Sequence, residues 1–429
     1  MLKKHSYISL TYGLHGEGKD SIIFFMKYAY DCHLHLLPLS HVCLSAYLDY
    51  SFHNPVSETY AELTAHAYVM RGILQRQGNV QSLVAVMEHD ASNQISIYEN
   101  DLKGLYDKNA NSLLSEKGLE ININGKDISY DKLVLCSQIM DFNLKGSDKL
   151  AYPLPEHDIV KQANEILEGI EKYHKNNPNS KVEVLPFFGI NPLNYDEDKI
   201  QEILENCFDD NKLKIGNLRF GKTVRKFVGI KVYPPMGFDP YPSDAKLRAK
   251  NEVLFSFCEK NAIPIVTHCD DQGFRMVQLE NSFDYTSPER WLKVLKEHPN
   301  LYLDFAHFGT QYYHATPIQQ LASHIYHEVS WRKLILNAMK EYPHVYADLS
   351  FGGVDSDMWK EVQEIVTKAT DSEKEIYSKR LLFGTDWPLS LSKIESALEY
   401  WLGFEKGFKD EKLVDKILSS NAEDFLHWQ

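Results

Sequence analysis

The chain reads as an α/β protein: a closed barrel of eight parallel strands, with a long insertion after the first strand. Three observations predict this. Eight short apolar, β-branched runs recur along the sequence, and amphipathic helical patterns separate the later ones. Five of the eight runs end on a histidine, a lysine or an aspartate. Strands alternating with helical patterns imply βαβ units and a parallel sheet, and eight of them suit a (β/α)₈ barrel. An open, doubly wound sheet is the alternative. No G-x-G-x-x-G or phosphate-loop pattern follows an early strand to support it.

The first apolar run, residues 22–30, leads into Asp31-Cys32-His33-Leu34-His35. Further strands are predicted at 132–141, 182–188, 227–233, 263–268, 301–307, 345–350 and 381–386. Helical periodicity falls at 245–260, 288–297, 331–341, 359–378 and 394–402. Residues 36–130 interrupt this alternation. They read as helical and loop insertions over the active-site end, the place for a lid, with apolar periodicity at 61–74 and 80–88. The whole chain, 1–429, is expected to form one barrel domain around this insertion.

Composition bounds the function. With 25% charged and 43% hydrophobic residues in 429, the chain can bury a large core and is not disordered. A formal net charge of -14 argues against nucleic acid or an anionic membrane as the main partner. A small anionic substrate stays open, since a metal and a few basic groups can reverse the potential inside one site. The six cysteines show no C-x-x-C spacing and read as free thiols of a reducing compartment. No apolar run is long enough to span a membrane, and the N-terminus makes a poor signal peptide, so a cytoplasmic protein is expected.

The chemistry is expected at the strand ends, because barrels of this kind carry their catalytic groups at the carboxyl end of the strands. Alternate residues of a strand share a side, so His33 and His35 can hold one divalent ion between them. His268, His307, Lys231 and Asp386 end four other strands. Any one could be structural: a core histidine, a salt-bridge lysine, or an aspartate capping a helix. Asp386 lies between Phe383 and Trp387-Pro388, where a buried carboxylate needs a partner. Trp387 reads as packing. His41 and His53 follow the first strand on the site side and are candidate substrate contacts. Arg275, soon after His268, could clamp a substrate carboxylate.

Taken in order, these motifs resemble the amidohydrolase superfamily, in its amidohydrolase-related branch of metal-dependent hydrolases, decarboxylases and hydratases. The resemblance rests on Asp31-Cys32-His33-Leu34-His35, Gly229-Ile230-Lys231-Val232-Tyr233-Pro234 and Ile263-Pro264-Ile265-Val266-Thr267-His268. It continues through Ala306-His307-Phe308-Gly309, Ala347-Asp348-Leu349-Ser350, Phe383-Gly384-Thr385-Asp386-Trp387-Pro388 and Ser420-Asn421-Ala422-Glu423. It covers roughly residues 26–36 and 180–429 and is absent from 36–130.

The resemblance implies that His33, His35 and His268 bind a metal, most simply one zinc per chain. Asp386 would contact it or its water and act as general base, while His307 would be a second-metal ligand or a substrate-polarising acid. Two metals would require a carbamylated Lys231 as a bridge; the sequence is more similar to the single-metal branch. The implied activity is hydrolysis of a small molecule through a metal-activated water, whose pKa a bound metal lowers to about 7. The alternatives are non-oxidative decarboxylation or another C–C bond cleavage on a carboxylated substrate, and a non-catalytic barrel used for binding. A carboxylate-pairing arginine near the metal would favour the lyase. Barrels of this branch often pair, so a homodimer is expected.

Overall fold

In the computed structural model the described residues are 26–41, 77–106, 112–142, 159–208, 227–271, 273, 277–311 and 330–426. Eight strands form one parallel sheet: β1 (Tyr28–Leu34), β5 (Lys132–Gln138), β6 (Val182–Gly189), β7 (Gly229–Val232), β8 (Ile265–Thr267), β9 (Leu303–Phe305), β10 (Val345–Asp348) and β11 (Leu381–Leu382). Backbone bonds from Cys32 N to Phe383 O (2.8 Å), Asp386 N to His33 O (2.7 Å) and His35 N to Trp387 O (2.6 Å) join its two edges. The sheet is thereby a (β/α)₈, or TIM, barrel. All eight predicted strands are present. Most stop short of their predicted ends, because the polar residues there turn out of the ladder to form the mouth.

Strand alternation divides the core in two. One set of side chains faces the surrounding helices; the other fills the barrel with Tyr30, Val134, Leu185, Phe187, Val266 and Tyr346, closed below by Ala422 and Phe425. β1 departs from regular alternation in a way that matters. Its register against β5 runs Asp31↔Leu135, then Leu34↔Ser137, so one extra residue is accommodated between them. Such a bulge changes which way the following side chains point. Asp31 faces outward, where Tyr98 of the helix Ala91–Leu102 reaches it. Cys32 lies in the barrel, and His33 and His35 converge on Asp386 beyond the strand's end.

The insertion differs from the helix-and-loop expectation. Besides helices Gln77–Met87 and Ala91–Leu102 it contains a three-stranded antiparallel sheet: β2 (Leu114–Ser115), β3 (Gly118–Ile123) and β4 (Lys126–Tyr130). Leu119, Ile121 and Ile123 are buried and alternate with exposed Glu120 and Asn122. Asn124 and Gly125, with φ of 53° and 83°, make the two-residue turn that matches the twist of a hairpin. This sheet packs on the barrel's flank, bonding Asn122 N to Glu405 and Tyr130 to Asp415, not over its mouth. Residues 42–76 and 107–111 of the stretch 36–130, where a lid is expected, lie outside the described residues.

The predicted helix at 359–378 is two helices, Ser356–Lys368 and Asp371–Tyr377. Thr370 caps the second in a reciprocal capping box with Glu373, which restarts the helix in a new direction. Cys32, Cys136, Cys207, Cys258 and Cys269 are buried free thiols. Among the described residues no helix is long and apolar enough to cross a membrane.

Candidate metal centre

The arrangement at the barrel mouth follows from which ring nitrogens are already committed. His35 Nδ1 lies 2.7 Å from the carbonyl oxygen of Gln138. A carbonyl only accepts, so Nδ1 carries a proton, and it is Nε2 whose lone pair the neutral ring offers. His33 Nδ1 lies 2.7 Å from Asp348 Oδ2, which selects the same tautomer. Burial pushes the His33 imidazole down to about 3, against the pull of Asp348, so the ring is neutral. Both Nε2 atoms face one oxygen: Asp386 Oδ1 is 3.1 Å from His35 Nε2 and 3.6 Å from His33 Nε2.

Asp386 Oδ1 is buried and receives no hydrogen bond. Three lone-pair atoms converging on one buried point are costly unless cations lie among them; the Lys231 ammonium meets His33 Nε2, and a metal would meet all three. These atoms lie within 4.8 Å of one another, and two neutral imidazoles with a carboxylate are a divalent metal's donor set. The residues fit a metal.

Lys231 is fully buried, with Nζ 3.3 Å from His33 Nε2. Burial lowers its ammonium to about 8, while Asp348 and Asp386 hold it up against that. His307 is pinned through Nδ1, 2.9 Å from Ser350 Oγ and 3.2 Å from Ser350 O. Its Nε2 is 3.1 Å from His268 Nδ1, and His268 Nε2 is 3.0 Å from Asp270 Oδ1. The rings form a continuous series, His33 to His307 at 4.9 Å and His307 to His268 at 4.8 Å between centroids.

The structure thus brings together His33, His35 and Asp386, with Lys231 and His307 against them. His268 stands one imidazole away, grouped with Asp270 and His307 and not with the first three. His41 is buried and tied to Glu165 at 2.6 Å, apart from this cluster. His53 and Arg275 lie outside the described residues. Trp387 is packing: it is buried and meets the Tyr98 ring edge-on at 5.3 Å.

Sequence reasoning passed over the residues that aim the ligands. Asp348 Oδ1 accepts from His307 N and Ser350 N, each at 3.0 Å, and from the Ser350 hydroxyl. Asp31 joins the first and last strands from outside, accepting from Thr385 Oγ1 (2.6 Å), Thr385 N (3.0 Å) and Tyr98 (2.7 Å). Gly384 leaves the room this needs, since a Cβ there would stand 2.7 Å from His33 Cβ. The signal available was polarity at alternate places, Asp348 and Ser350, in an otherwise apolar strand end. Backbone strain gathers here too. Of six non-glycine residues with positive φ among those described, His307, Phe308, Phe351 and Asp386 lie at the strand ends of the mouth.

Residues 215–428 match the family described as Amidohydrolase. No curated protein matches the chain. Among solved structures, an uncharacterized TIM-barrel protein of Bordetella bronchiseptica is similar over 94% of this chain and 99% of its own, at 15% identity and a TM-score of 0.43. A zinc-bound amidohydrolase of Burkholderia multivorans is similar over 60% of this chain and 77% of its own, at 15% identity and a TM-score of 0.35. A probable 2-pyrone-4,6-dicarboxylic acid hydrolase of Acinetobacter baumannii, with citric acid bound, is similar over 70% and 84%, at 11% identity and a TM-score of 0.34.

Proposed function

This chain belongs to the amidohydrolase-related superfamily, and from that premise we propose that it is a metal-dependent hydrolase acting on a small molecule. One observation carries the reading: Asp386 Oδ1, buried and without a hydrogen-bond donor, faces the Nε2 atoms of His33 and His35. His33, His35 and Asp386 would hold one divalent ion, zinc by their chemistry; His268, the further ligand expected, would join them only by giving up its bond to His307 or Asp270. A second ion would require Lys231 to be carbamylated. When bound, the ion supplies Lewis acidity and a water activated near neutral pH.

The protein's own groups do the rest. Asp386 takes the proton of the attacking water, a transfer a positioned base accelerates by about 10²–10⁴-fold. His307 Nε2 would polarise a carbonyl or pass a proton to a leaving group on giving up its bond to His268 Nδ1. Lys231, buried beside His33, offsets negative charge developing on the substrate.

The test is metal analysis of the purified protein and of the His33→Ala/His35→Ala variant after zinc reconstitution, followed by assay against lactones, amides and carboxylated aromatics. About one zinc per chain, lost in the variant, with hydrolysis of a lactone or amide, supports the reading. Release of carbon dioxide without hydrolysis would replace it with the decarboxylase. No retained metal in the reconstituted wild type would overturn both.

A further inference from the structure

The insertion after β1 makes a contact that the proposed chemistry does not use. Tyr98, on its helix Ala91–Leu102, is fully buried against the outside of the barrel. The hydroxyl is committed on two sides. Trp401 Nε1 lies 2.9 Å away and only donates, so the hydroxyl accepts there and sends its own hydrogen to Asp31 Oδ2 at 2.7 Å. Thr385 Oγ1 is directed in the same way. It accepts from Trp387 N at 3.2 Å and donates to the same Asp31 oxygen at 2.6 Å. Asp31 Oδ1 accepts from Thr385 N at 3.0 Å and from His33 N at 3.3 Å.

Asp31 is therefore a clasp between two peptide segments, 31–33 of β1 and 385–387 beyond β11. The backbone closes the same joint, with Asp386 N donating to His33 O at 2.7 Å. One segment carries His33 and leads to His35; the other carries Asp386. The three proposed ligands thus sit on the two segments that the clasp holds together, each within a few residues of it. Tyr98 ties the insertion to this clasp, and Trp401 fixes the direction of the tie.

We propose that Tyr98 is a positioning residue: its hydroxyl, oriented by Trp401, sets the Asp31 side chain and through it the placing of His33 against Asp386. The insertion then acts on the metal centre from behind the barrel wall. The proposal rests on the reading of His33, His35 and Asp386 as ligands.

The experiment uses the full-length protein. Zinc competition against a chromophoric chelator compares wild type with Tyr98→Phe, which removes the hydroxyl alone. Ile95→Ala is the control, since it removes buried apolar packing from the same helix and no hydrogen bond. Expected are a loss of about tenfold in Tyr98→Phe, the low end of the range for partners beyond the ligands, and affinity within about twofold in Ile95→Ala. A loss under about threefold in Tyr98→Phe, or an equal loss in Ile95→Ala, overturns the proposal. Tyr98 would then only fasten the insertion to the barrel. Coupling between sites is reciprocal, so zinc in turn steadies the helix. Amide hydrogen exchange of the wild type with and without zinc reads this directly. Zinc is expected to slow exchange more in residues 91–102 than in the helix Ala245–Asn261, which follows β7 across the barrel from β1. Equal slowing in the two helices overturns the proposal, even if Tyr98→Phe does not fold. Zinc affinity unmoved in His33→Ala/His35→Ala would overturn the ligand reading and this proposal with it. Affinity lost there but unmoved in Tyr98→Phe would overturn this proposal alone.

Discussion

The barrel interior holds two regions only a few residues apart on the same strands, and they are built on opposite principles. Below, Tyr30, Val134, Leu185, Phe187, Val266 and Tyr346 fill the space with apolar contacts. Above, His33, His35, Lys231, His307, Asp348 and Asp386 are as buried but polar. The lower layer stabilises the fold by excluding water. The upper layer leaves Asp386 Oδ1 without a donor and keeps a lysine out of water, both of which cost stability. One barrel sustains both because the lower layer and the outer core hold the strands while the mouth holds the chemistry.

The difference can be broken from either side. The largest effect is expected above: His33→Ala/His35→Ala should fall from about one zinc per chain to less than about a tenth by elemental analysis. Asp386→Asn should lower turnover of whichever substrate is found by roughly 10²–10⁴-fold, with an unchanged far-ultraviolet circular dichroism spectrum. Below, Leu185→Ala should cost about 2–5 kcal/mol in urea unfolding, the range for emptying a buried leucine site, and leave zinc content intact.

Lys231→Met should do the reverse and stabilise the protein at pH 7. The folded ammonium is lowered to about 8 from 10.5. A group depressed in this way contributes fully above its unfolded pKa, and the contribution is lost as pH falls through the folded one. The variant's advantage should therefore be greatest at and below pH 8, with an upper bound of roughly 3 kcal/mol, and shrink toward pH 10.5. Melting curves across that range check it; a constant difference would show the ammonium is not the cause. Smallest is Ser350→Ala, which removes a hydroxyl bonded to Asp348 and near both His33 and His307. It should cost about 1 kcal/mol of stability. The same melts give the figure, and a loss above about 3 kcal/mol would assign Ser350 to the scaffold.

What could be read from the sequence follows the same division. Parallel strands covered on both faces are near-continuous apolar runs, so all eight were visible. The ligands were visible because a polar residue ending such a run stands out. Their aim was not visible. That Asp348 fixes His33, or that His268 meets His307 and Asp270 and not His35, depends on strands far apart in sequence meeting across the barrel. The sheet at 114–130 was missed although Asn124-Gly125 marks its turn, because its exposed residues are as polar as a loop. Helices Ile159–Asn176 and Glu197–Phe208 also escaped, although their buried residues recur at helical spacing.

The bulge in β1 carries a consequence of its own. Two consecutive residues, Cys32 and His33, face the barrel there, where a regular strand would turn one of them outward. The extra residue acts as a spacer that lifts both imidazoles by one strand step, about 3.3 Å, without rotating them away. The site is therefore more sensitive to the length of this segment than to the identity of its filler. Cys32 can be exchanged for another small apolar residue. Deleting it would draw His33 down into the apolar layer, among neighbours that offer a metal nothing.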